Sequence, residues 1–138
     1  MPVSASRRVF ATAIAAAALP LGLAKGSNEQ RKHSTQLPVV RLSRGAFPAE
    51  KYTIVRDRLR SAQSSLVPAI KALRGCLHYW AGVDPTSNTM INVSVWATLD
   101  DAKQMEALAP MLSLAIDFVS IGVQFERPIT NYNSLWEI

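Results

Sequence analysis

The chain has 138 residues, 49% of them hydrophobic, with 15 Lys and Arg against 10 Asp and Glu. That length holds one modest domain, and a net charge of +5 is too mild to argue for a nucleic-acid partner. Cys76 is the single cysteine, so no intrachain disulfide can form. A small domain without disulfides depends on its apolar core, and dimerisation is the usual supplement.

Ser6-Arg7-Arg8-Val9-Phe10 stands ahead of an uncharged, Ala-rich run that ends at Ala24. Adjacent arginines before a short apolar segment read as an export signal. The pattern Ser-Arg-Arg-x-Phe resembles the twin-arginine translocation signal. Ala11 and Thr12 stand where that pattern has Leu and Lys further on, so the ordinary secretory route stays open. The apolar run is about fifteen residues, short of the ~20 that span a bilayer. Residues 1–24 therefore read as signal, 25–36 as a polar linker holding His33, and 37–138 as the folded domain. Loss of Arg7 and Arg8 with the signal leaves 13 basic against 10 acidic residues. The expected location is periplasmic or secreted, with no stable membrane span once the signal is removed.

Leu37–Ser43 predicts a first strand, with Pro38 suited to its start. Pro48 opens a helix, and Tyr52, Val55, Leu59, Ala62 and Leu66 form its apolar stripe. Pro68 should break or restart that helix, and Arg74-Gly75 should close it. Cys76–Val83 and Thr89–Ala97 predict a hairpin around the turn residues Asp84–Asn88. Thr98, three residues before Asp101, predicts a helix start resembling a capping box. Ala102, Met105, Leu108 and Leu112 form the next buried stripe, with Pro110 bending the axis. Ile121–Arg127 predicts a fourth strand and Tyr132–Ile138 a short fifth. The order β-α-β-β-α-β is that of an α+β, ferredoxin-like antiparallel sheet.

The hairpin register decides which side chains share a face. A five-residue loop, 84–88, pairs Val83 with Thr89. Leu77, Tyr79, Ala81 and Val83 then join Ile91, Val93 and Val95 against the helices, which keeps a clean apolar core. His78, Trp80, Asn92, Ser94 and Trp96 share the opposite face. A six-residue loop slips the register and sends His78 to the other side.

The pattern from Val39 to about Phe125, above all NVSVWATLDDAKQM, resembles the antibiotic biosynthesis monooxygenase family of dimeric α/β barrels. The resemblance implies a homodimer with sheet pressed to sheet and a ligand between. Asn92 and Trp96 match the spacing of an Asn/Trp pair that lines the cavity of the family's cofactor-free monooxygenases. It implies catalytic roles for Asn92 and Trp96, with His78 able to act as a base, and Trp80, Ser94 and Met90 against the substrate. The implied substrate is a small aromatic, quinol-like molecule oxidised by O₂ with no cofactor. Haem-degrading members carry a ligand His in the helix after this Trp, and Asp101–Leu108 contains none. His33 and His78 lie far apart without a Cys or acid at ligand spacing, so no metal site is expected. Cys76 reads as a buried bystander thiol. The second reading is a non-catalytic exported homodimer that binds a small apolar ligand. There Trp80 and Trp96 fill the interface, Asn92 is satisfied across it, and His78 bonds a neighbouring strand.

Overall fold

The computed structural model describes residues 36–138. The export signal at 1–24, nearly all of the linker and His33 lie outside the described residues. Leu37–Ile138 forms one compact unit. Its elements are β1 (Val39–Ala46), α1 (Tyr52–Ser61), α2 (Gln63–Lys71), β2 (Cys76–Asp84), β3 (Thr89–Trp96), α3 (Leu99–Lys103), α4 (Ala109–Ser120), β4 (Gln124–Phe125) and β5 (Thr130–Asn133). The antiparallel sheet runs β2-β3-β1-β4, and β5 also pairs with β1. The α+β, ferredoxin-like architecture is as expected.

Of the predicted apolar stripe of the first helical segment, Val55, Leu59, Ala62 and Leu66 are buried and Tyr52 is half-buried, and Ile70 extends the buried row. Its break falls at Ala62 rather than at Pro68, which sits inside α2. Pro68 is exposed, so water can serve the carbonyl that lacks its N–H. The second segment departs further. Thr98 caps α3 by accepting the Asp101 N–H at 3.1 Å. The helix then stops at Lys103, tightens into a 3₁₀ turn over Gln104–Ala107, and restarts at Ala109. Pro110 sits in the first turn of α4, where a missing N–H breaks no bond. This restart loses the helical phase. Ala102 and Met105 are buried, but Leu112 is 47% exposed instead of completing the stripe. The fourth strand shrinks to Gln124–Phe125 and the fifth lies earlier than expected, at Thr130–Asn133. Pro128 between them has no N–H to give a ladder.

The hairpin requires the main correction. Asp84 pairs with Thr89 and Val83 with Met90, so the loop has four residues, 85–88. The Asp84 carboxylate accepts the N–H groups of Thr86 and Ser87, each at 3.1 Å, and the Ser87 hydroxyl at 2.6 Å. Asn88 adopts a left-handed φ of 53°. These contacts close the turn one residue sooner than the five-residue loop, so β3 turns its other face to the helices while β2 keeps Tyr79, Ala81 and Val83 there, as expected. Tyr79, Ala81, Met90, Asn92, Ser94 and Trp96 share the helix side. His78, Trp80, Ile91, Val93 and Val95 lie on the open side, with Val40 and Leu42 of β1 beside them. A register shift between Cys76 and His78 absorbs Leu77.

Burial fixes this orientation. Trp96 is 0% and Met90 1% exposed. Trp96 packs with Val39, Leu66, Ile70, Ala102 and Met105, whereas Met90 packs with Val55, Leu59, Phe118 and Val123. A buried side chain the size of Trp contributes about 3–5 kcal/mol relative to Ala.

Gly75 joins α2 to β2 at a φ of 73°. The Asp101 carboxylate lies where a Cβ at Gly75 would sit, and Arg74 Nε donates to Asp101 Oδ1 at 2.5 Å. Gln104 Nε2 donates to the Arg74 carbonyl at 2.7 Å. Gly75→Ala should therefore lower unfolding free energy by about 2 kcal/mol or more, from left-handed backbone plus the clash. Gly82→Ala is the control, since its Cβ would meet nothing nearer than 3.9 Å. Urea unfolding midpoints compare the two. Equal loss in both variants refutes the role given to Gly75.

Candidate functional site

Asn92 and Ser94 lie between Met90 and Trp96 along β3, hence between the two apolar clusters. A cavity of about 240 Å³ opens above them, on the helix side of the sheet. Its floor carries Arg41 and Ser43 from β1, Tyr79 from β2, and Asn92 and Ser94 from β3. Its roof is Met111, Leu114, Ala115 and Phe118 of α4. Met105 and Glu106 of the 3₁₀ turn close one side; Phe125, Arg127 and Ile129 close another. An apolar cavity of ~150 Å³ holds benzene, so this space suits one or two rings.

Trp96 does not line the cavity. Its indole N–H donates to Ser94 Oγ at 2.8 Å, entirely within the core. Ser94 Oγ is thus held as an acceptor on one side, leaving its own proton to donate elsewhere. Trp96 acts here as a positioning residue for Ser94.

The site residues read from the sequence divide into two groups. Asn92, Ser94 and Met90 come together on the cavity wall. His78 and Trp80 do not join them. They lie on the open face of the sheet, stacked on each other with ring centroids 5.4 Å apart. The four-residue turn is the reason, because it sets β2 one residue out of the anticipated pairing. A base at His78 has no access to this cavity from its own chain, and Trp80 does not line it.

Three cavity residues carry chemistry that the sequence reading passed over. Arg41 is 6% exposed, with Nη1 at 3.3 Å from Asn131 Oδ1 and 3.7 Å from Glu106 Oε1. Desolvation lowers its pKa, and Glu106 opposes that shift. The Tyr79 hydroxyl is buried and has no hydrogen-bond partner among the described residues. Burial first, then repulsion from Cys76, pushes its pKa up to about 12. Glu106 is the carboxylate among the lining residues. One signal pointed to Arg41: a charge in the middle of the apolar strand LPVVRLS, in phase with Val39 on the core side.

No known family's sequence pattern matches the chain, and no curated protein does. Solved structures do. A Deinococcus radiodurans protein, provisionally assigned as an antibiotic biosynthesis monooxygenase, aligns with a TM-score of 0.56 and 20% identity, covering 72% of this chain and 95% of that one. SnoaB, a cofactor-independent oxygenase from Streptomyces nogalater, aligns with a TM-score of 0.53 and 12% identity, covering 74% and 97%. A Pseudomonas aeruginosa protein reaches a TM-score of 0.57 at 14% identity, covering 75% and 99%. The fold is that of the antibiotic biosynthesis monooxygenases. At these identities the likeness is one of fold. Among the described residues no helix is long and apolar enough to cross a membrane, and no three His, Cys, Asp or Glu residues group as metal ligands.

The Tyr79 shift gives a pH prediction. Its folded pKa, about 12, lies above the ordinary value of 10.0. Between those values the unfolded chain releases the proton and the folded one keeps it. Stability is full below pH 10 and should fall by about 1.4 kcal/mol per pH unit as pH rises toward 12. Absorbance at 295 nm should show a late phenolate that Tyr79→Phe removes. If the variant titrates like the parent, Tyr79 is not the displaced group.

Proposed function

We propose that the protein is a cofactor-independent monooxygenase acting on a small aromatic, quinol-like substrate inside this cavity. The observation that carries the reading is the polar floor of Asn92 and Ser94 beneath an apolar roof, within a fold shared with a cofactor-independent oxygenase. The substrate would supply the electrons. Loss of a proton gives an electron-rich enolate or phenolate, and O₂ is the oxidant. For a methylene between aromatic rings the balance is R₂CH₂ + O₂ → R₂C=O + H₂O. The Asn92 amide N–H and the Ser94 O–H would donate to the oxyanion that develops on the substrate. Trp96 would act through Ser94.

Oxygen uptake with a panel of hydroquinones and anthrones, under metal chelation, tests this. Asn92→Ala should lower kcat about 10²–10³-fold, as for other oriented donors in a desolvated site, while melting changes little. Equal rates in parent and variant, or uptake in neither, would favour the non-catalytic ligand-binding dimer instead.

The same proposal has two copies joined through their open sheet faces. Trp80 is 55%, Tyr132 50% and Ile91 37% exposed, and with Val40, Leu42, Val93 and Val95 they make an apolar surface. A contiguous surface of that kind is uncommon on a monomer. Trp96, read from the sequence as an interface filler, faces the helices and takes no part. Residues 37–138 should sediment as a dimer at micromolar concentration, and Trp80→Glu as a folded monomer. A monomeric parent protein removes the assembly from the proposal.

Export completes the reading, motivated by Arg7-Arg8 ahead of the uncharged run. Arg7→Lys with Arg8→Lys should accumulate as cytoplasmic precursor in a fractionated host. Undiminished export of that variant would eliminate the twin-arginine route.

A further inference from the structure

We infer that Arg41 and Tyr79 form an anion subsite in the cavity floor, and that the ligand carries a negatively charged oxygen on its ring. This deepens the proposed function and rests on it only in taking the cavity as the ligand site.

The argument begins with Arg41. It lies on a central strand, with its guanidinium drawn under the helices instead of reaching water. A buried arginine ordinarily requires a close carboxylate, and preferably a two-point one. Arg41 has one carboxylate at a long, single-point distance and no two-point partner. Both of its recorded contacts pass through Nη1, one to a neutral amide at 3.3 Å and one to Glu106 at 3.7 Å. Glu106 is itself 60% exposed and stands at the edge of the cavity. Among the described residues, no other carboxylate lies within ion-pair distance of Arg41. The positive charge is thus desolvated without full compensation.

The second observation is independent. The Tyr79 hydroxyl is the one buried side-chain polar atom without a partner among the described residues. A hydroxyl left so costs roughly 1–3 kcal/mol. Tyr79 lines the same cavity as Arg41, and the two groups are near enough to influence each other's charge. Like any neutral phenol at physiological pH, Tyr79 carries a proton to donate, and burial disfavours losing that proton to solvent. Arg127 also lines the cavity, giving two cations against the single carboxylate of Glu106. A carboxylate or ionised hydroxyl on an aromatic ring would take the free edge of Arg41 and the Tyr79 proton together. Its ring would lie against Met111, Leu114 and Phe118.

Binding is measured under nitrogen, by titration calorimetry on the full chain, so that turnover plays no part. The probes are 2-naphthoate with neutral 2-naphthamide, and 4-nitrophenolate with neutral 4-nitroaniline. The parent should bind the anion of at least one pair about tenfold more tightly than its neutral mate, the difference expected for one charge-assisted contact. Preference within the first pair alone assigns a carboxylate; preference within the second assigns an ionised hydroxyl. Arg41→Gln should cut the preference below about twofold while sparing the neutral ligand. Tyr79→Phe should weaken the anion alone, and Glu106→Gln should tighten it by removing the competing carboxylate. The last two variants decide the matter if Arg41→Gln does not fold. No preference in the parent, a preference that survives in all three variants, or no binding of any probe overturns the subsite. Oxygen uptake on neutral hydroquinones without anion preference would leave the oxygenase reading standing and remove only this one. Anion preference without oxygen uptake would do the reverse.

Discussion

The register of β3 between β1 and β2 holds the rest of the domain in place. All eight of its residues are paired with β1, from Val39↔Trp96 to Ala46↔Thr89. Trp96 locks that register from one end, fully buried and bonded through its indole N–H to Ser94. Met90 locks it from the other, equally buried beneath α1 and α4. A slip of one residue would bring both into the open face and carry Asn92 and Ser94 away from α4. The energy of such a slip is set by two large side chains, so the polar pair between them is held by neighbours that do no chemistry.

A cavity follows from what that register aligns. Arg41, Ser43, Asn92 and Ser94 stand in one patch of the sheet, since Arg41 pairs with Ser94 and Ser43 with Asn92. Polar side chains cannot interlock with Met111, Leu114 and Phe118 as apolar ones would, and the space between stays unfilled. Its counterpart on the other side of the sheet is Val40, Leu42, Ile91, Val93 and Val95, a surface of branched aliphatic residues. One side of the sheet borders a cavity, and the other presents an apolar surface.

Much of the fold was legible locally. The stripe from Val55 to Leu66, the Thr98 cap and the two long hairpin strands follow from periodicity and end signals that neighbouring residues supply. The facing of the hairpin was not legible, and the reason is physical. Both faces of β3 are apolar enough to be buried, Ile91, Val93 and Val95 on one and Met90 and Trp96 on the other. Alternation alone cannot choose between them when a sheet is to be covered twice. The choice turned on whether Asp84 belongs to the strand or the turn, which its side-chain bonds to Thr86 and Ser87 decide. Asn92 and Ser94 were found because their spacing from Trp96 survives either facing. Arg41 and Tyr79 were not, because the contacts of Arg41 are long-range in sequence and the Tyr79 hydroxyl lacks a partner among the described residues, and a sequence records neither. The breaks at Ala62 and Lys103 escaped for a different reason: neither has a glycine to mark it, and the one at Ala62 leaves the helical spacing of the buried row intact.

The strict alternation of β3 divides its heredity. Even-numbered positions from 90 to 96 answer to the interior, and odd-numbered ones from 91 to 95 answer to the uncovered side. Substitutions on one track leave the other's side chains in place, so the cavity lining and the uncovered surface can vary independently in descendants of this chain. A single strand thereby carries two traits that selection can tune separately, interleaved residue by residue.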